Sequence, residues 1–213
     1  IVVGINEYDN DDLKYAASDA KSIYHFLTTS QFSTSASGDI RLLLNGSATI
    51  EKLKSSLTTI KNEAGEDDIF MFFFFGYGQS NSFELVDGTL RFSELSEMFS
   101  NIKASEKISF FDLSQRNSAD ELFAAKEPTN TEAISFNNDI IYLEKEKENS
   151  IEADGLRFGI MKHFLAQSLR GAGDTNVDGK TSIEEIHNYL SKKITHYTDG
   201  YLVPSLSTAN TTS

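Results

Sequence analysis

The chain has no cysteine, no tryptophan, only two prolines and only four histidines in 213 residues. Without cysteine there is no disulfide, no thiolate metal site and no thiol nucleophile. Long apolar runs are missing too. The longest stretch, Ile69–Phe75, is far shorter than the ~18 residues a membrane span needs. No signal peptide is visible, since the chain opens directly on the apolar Ile1–Ile5. Because its first residue is not methionine, an excised or trimmed domain is expected. Positive charge is scarce: 19 basic residues face 32 acidic ones, for a net charge of -13. That balance argues against nucleic acid and anionic membranes and leaves basic peptides as acceptable partners. A soluble, cytoplasmic protein is expected.

What the chain does have is phenylalanine, 16 in all, concentrated in buried-strand patterns. Ile69–Phe75 (IFMFFFF) is bounded by Glu66, Asp67 and Asp68 on one side and Gly76-Tyr77-Gly78 on the other. A short aromatic run between such boundaries reads as a strand buried on both faces, which implies a mostly parallel sheet with helices on each side. In these sheets ligands sit beyond the C-terminal ends of the central strands, where this reading puts Tyr77.

Further strands are expected at Ile1–Ile5, Ile40–Leu44, Ile108–Leu113 and Ile140–Leu143. Helical spacing marks Leu13–Leu27, Ile50–Ile60, Phe92–Ile102, Phe158–Leu169 and Ile183–Tyr197. Phe83–Val86 with Asp87-Gly88 reads as a hairpin arm. Ser30–Gly38 reads as a loop and Glu144–Glu148 as a charged strand end or loop. Leu202-Val203 is a candidate edge strand before Pro204. Alternating strands and helices predict one α/β domain over 1–204, with 205–213 as a Ser/Thr-rich tail or linker. Ser114 follows the Ile108–Leu113 strand as Tyr77 follows Ile69–Phe75, so the two meet if those strands are neighbours. Asp112 and Asp19 add carboxylates near the same end.

At these residues the chain resembles the caspase-like cysteine peptidases in their metacaspase and bacterial branch. Ile1–Tyr8 (IVVGINEY), Leu13–Leu27 with its Ser-Asp-Ala core, Asp39–Asn45 and Phe158–Leu169 are similar to successive family segments. The resemblance implies a three-layer sandwich around a mostly parallel sheet of about six strands. It places the family's catalytic histidine at Tyr77, its nucleophilic cysteine at Ser114 and its oxyanion-hole amide at Gly78. It also implies that Asp19 and Asp112 line a pocket for an Arg or Lys side chain. Asn117 stands where the family has glycine, next to Arg116.

The two substitutions remove the usual chemistry. A thiol titrates near ~8.5 and is easily activated, whereas a serine hydroxyl needs a general base. Tyrosine titrates near ~10 and is a donor at neutral pH. His25, His163, His187 and His196 all fall on expected helices. The residues therefore predict an inactive, regulatory or peptide-binding domain, monomeric or part of a multidomain protein, with no required cofactor. The alternative is an endopeptidase cleaving after basic residues, either through Ser114 or as an engineered Cys-to-Ser form of a cysteine enzyme. A plainer reading makes Asp112 a loop cap and Asp19 a solvated helix residue.

Asp174–Glu185 has the spacing of a calcium-binding EF-hand loop. Asp174, Asn176, Asp178, the Lys180 carbonyl, Ser182 and Glu185 are its ligand positions, with Gly179 at the turn. The same residues also suit Asx-turns and a Ser182/Glu185 capping box that need no metal. Both readings stand at this stage, with Ca2+ admitted at 174–185.

Overall fold

The structure is a computed structural model, and it describes residues 1–9, 12–29, 39–79, 81–115, 138–145 and 159–208. The Ser30–Gly38 loop, Arg116, Asn117, Phe158 and the end of the Glu144–Glu148 run lie outside the described residues.

The apolar runs become strands β1 (Val2–Gly4), β2 (Leu42–Leu44), β3 (Ile69–Gln79), β6 (Glu106–Ser114) and β7 (Asp139–Lys145). These five are parallel, and β8 (Ser205–Ser207) closes the sheet antiparallel to β7. The order is β2-β1-β3-β6-β7-β8, and a hairpin of β4 (Ser82–Leu85) and β5 (Gly88–Arg91) branches from β3. Helices α1 (Ala16–Thr29), α2 (Ile50–Glu63), α3 (Phe92–Ser100), α4 (Ile160–Gln167) and α5 (Ile183–Tyr197) cover both faces. This is the expected α/β class, with the six-strand main sheet enlarged by the hairpin.

Strand alternation divides the core. Phe72, Phe74, Phe111 and Leu113 point to one face, against α2, α3 and the hairpin. Phe73, Phe75 and Phe110 point to the other, against α1, α4 and α5. Phe83 of β4 is the centre of an aromatic group, with ring centroids 4.2 Å from Phe74, 4.5 Å from Phe92 and 4.8 Å from Phe111.

Several boundaries differ from the sequence reading. Helix α1 begins at Ala16 rather than Leu13, because Asn6 organises the preceding turn. The Asn6 carbonyl accepts the Leu13 N–H, its Nδ2 donates to the Lys14 carbonyl, and its Oδ1 caps the Ala17 N–H at 2.8 Å. The last strand follows Pro204 instead of preceding it. Leu202 is held in a turn, its N–H donated to Thr198 Oγ1 at 3.0 Å. Ser205–Ser207 therefore belong to the sheet, not to a tail beginning at 205. Finally, β3 runs through Gly76-Tyr77-Gly78 to Gln79, and β6 includes Ser114. Tyr77 and Ser114 are thus strand residues, not loop residues.

Candidate functional site

The β3–β6 ladder stays in register to its end, pairing Phe75 with Asp112, Gly76 with Leu113 and Tyr77 with Ser114. Adjacent strands lie about 4.8 Å apart, so positions 77 and 114 are direct cross-strand neighbours. Alternation puts Asp112, Ser114 and Tyr77 on the same face as Phe75 and Phe110, the face covered by α1, α4 and α5. Tyr77 is fully buried and Ser114 nearly so.

Tyr8, which the sequence reading did not single out, completes this end of the sheet. Its hydroxyl accepts the Tyr77 N–H at 2.9 Å and donates to the Glu84 carbonyl at 3.3 Å. The Tyr8 and Tyr77 rings are 4.8 Å apart and tilted by 57°. Gly76 makes room for this approach, since a Cβ there would strike the Tyr8 hydroxyl and the Phe74 ring. Gly78 pairs with Phe83 of β4, and a Cβ on it would lie 2.9 Å from the Ser82 carbonyl oxygen. In this structure Gly78 is a close-packing position where the hairpin leaves β3.

Asp19 and Asp112 converge from α1 and β6. Both are buried, at 2% and 5% relative exposure, so Asp19 is not a solvated helix residue. Asp19 Oδ2 accepts the Gly159 N–H at 2.7 Å, and Asp19 Oδ1 lies 3.5 Å from Lys162 Nζ. A Cβ on Gly159 would collide with Asp19 Oδ2 and sit 3.4 Å from Asp112 Oδ2. Both carboxylates therefore meet the start of α4, where the helix dipole favours negative charge. Lys162 was not legible in the sequence, since its partner is far away along the chain.

The histidines lie on helices as expected. His25 and His196 are exposed. His187 Nε2 contacts the Pro204 carbonyl and the Ser191 hydroxyl, and His163 Nε2 contacts Gln167. Partial burial, helped by adjacent Lys162, lowers the His163 pKa.

The acidic loop folds on its own amides. Asp174 accepts the N–H groups of Asp178 and Gly179, Asn176 accepts from Asp178, and Asp178 accepts from Lys180. Ser182 and Glu185 form the capping box at the start of α5. Glu185 Oε1 also accepts the amides of Thr175 and Asn176. Among the described residues no three His, Cys, Asp or Glu side chains group as a metal ion would require. Both Glu185 oxygens here accept from backbone donors, Oε1 from Thr175 and Asn176 and Oε2 from Ser182.

The Ser182 amide, followed by Thr175 and Asn176, holds the Glu185 pKa down from 4.5 to about 2 against an opposing effect of burial. A depressed carboxylate stabilises the fold above its unfolded pKa and loses that contribution as pH falls toward the folded value. The melting temperature of Glu185→Gln should therefore lie below the parent's at neutral pH. The gap should narrow between about pH 4.5 and pH 2 in melts followed by circular dichroism.

A mostly parallel α/β sheet carries helices on both faces and polar residues at its central strand ends. The chain belongs to the caspase domain family, whose model matches residues 1–213. No curated protein matches it. Among solved structures it is similar to a Geobacter sulfurreducens protein, at 17% identity and TM-score 0.66, covering 100% of this chain and 93% of that one. It is also similar to pro-sf-caspase-1, at 12% identity and TM-score 0.68, covering 97% of this chain and 85% of that one. Among the described residues no helix is long and apolar enough to cross a membrane.

Proposed function

We propose that this is a caspase-like domain without peptidase activity, serving as a regulatory or peptide-binding module whose acidic pair suits Arg or Lys side chains. The observation that supports this reading is the in-register pairing of Tyr77 with Ser114 at the ends of β3 and β6. These are the positions that the family resemblance gives to base and nucleophile. A buried phenol beside a serine is a proton donor at neutral pH and does not activate the hydroxyl for attack. The domain needs no cofactor in this reading.

The test is hydrolysis of fluorogenic peptides ending in Arg, Lys or Asp, with and without calcium, by the parent and by Ser114→Ala. The expected result is no turnover above buffer from either protein. Turnover by the parent that disappears in Ser114→Ala would establish Ser114 as a nucleophile and overturn the proposal.

A further inference from the structure

The contact between Asp19 and Lys162 joins a buried carboxylate to a largely covered ammonium, with side-chain exposures of 3% and 13%. Asp112 approaches the same place from β6, near Gly159. Lys162 brings a positive charge to the place where the two buried carboxyl groups converge. We propose that the Lys162 ammonium is an internal stand-in for the basic side chain the acidic pair would otherwise accept. While Lys162 is seated, the pair is closed to Arg and Lys ligands. This rests on the reading of Asp19 and Asp112 as a peptide site, and it does not depend on whether Ser114 turns substrate over.

The physics of competition favours the internal cation. An intrachain group on a short tether acts at an effective concentration of roughly millimolar or more, so weaker ligands are excluded. A second cation entering beside Lys162 would meet like charge. Lysine also suits a removable occupant, being a point charge on a flexible stem. The Gly159 N–H bond to Asp19 is separate from it, so α4 keeps that anchor if the ammonium withdraws. A purely structural ion pair would behave differently, since removing Lys162 would lower stability and create no ligand affinity.

Isothermal titration with Nα-acetyl-arginine methylamide, on the parent, Lys162→Ala and Lys162→Gln, separates the two. Lys162→Ala should bind at least about tenfold more tightly than the parent. The uncharged norleucine analogue should bind none of them, and Asp112→Asn in the Lys162→Ala background should abolish the gain. Lys162→Gln keeps much of the side-chain length and a neutral donor, and it supplies the comparison if the alanine variant does not fold. A folded variant that binds no better than the parent overturns the proposal, and so does an equal gain for the norleucine analogue. On the parent itself, excess arginine amide should raise reductive methylation at Lys162, and an unchanged rate also overturns it. Turnover in the peptide-hydrolysis assay would sink the inactive-domain reading alone and leave this inference standing.

Discussion

Phe83→Ala should lower folding stability by about 3–5 kcal/mol, measured as a shift in the urea midpoint at unchanged slope. Phe83 is fully buried where the hairpin meets the main sheet. Its ring lies within 4.8 Å of the rings of Phe74, Phe92 and Phe111, and 6.1 Å from Phe72. Truncation removes the apolar area and the aromatic contacts together. It also leaves a cavity lined by rigid rings that close-packed strands cannot easily collapse. The loss extends to the site, because Phe83 pairs with Gly78 and its neighbour Glu84 anchors the Tyr8 hydroxyl. Phe83→Leu retains much of the volume and should lose less than half as much. Equal losses for the two variants would mean that aromatic shape, not cavity formation, sets the penalty.

Asp19→Ala should cost about 3 kcal/mol by the same measurement. The substitution withdraws the acceptor of the Gly159 N–H and a counterion of Lys162 in one step. A buried amide losing its acceptor costs about 1–3 kcal/mol, and an ammonium losing its carboxylate adds to that. The partial exposure of Lys162 keeps the sum from being larger. Asp19→Asn preserves an acceptor for Gly159 but not the charge, so it should fall between parent and alanine. A loss below about 1 kcal/mol for Asp19→Ala would mean that α4 docks without this bond.

The strands around the site were legible because their signal is local. Ile69–Phe75 is apolar without interruption and Ile108–Leu113 is broken only by Ser109 and Asp112, and the aromatic content of both favours strand over buried helix. Helices α2 and α5 were equally clear through their spacing, and α5 also through the capping box of Ser182 with Glu185. The placement of Tyr77 opposite Ser114 followed from two strand ends, on the assumption of adjacency, which the sheet order bears out. What escaped sequence reading is held by distant partners. Gly76-Tyr77-Gly78 looks like a turn in isolation and is a strand only because β6 and β4 supply its hydrogen-bond partners. Asp19 looks like a solvated helix residue until Gly159, 140 positions later, donates to it. Tyr8 carries no periodic signal, because its role depends on two backbone groups contributed by other strands.

The continuation of the β3–β6 ladder to Tyr77 and Ser114 has an evolutionary corollary. Positions 77 and 114 are brought together by main-chain pairing, to which any side chain is incidental. A lineage that exchanges the residues there keeps the geometry of the site, because the backbone bonds that set it are not theirs to lose. Substitution at these two places leaves in place the main-chain pairing that sets them side by side.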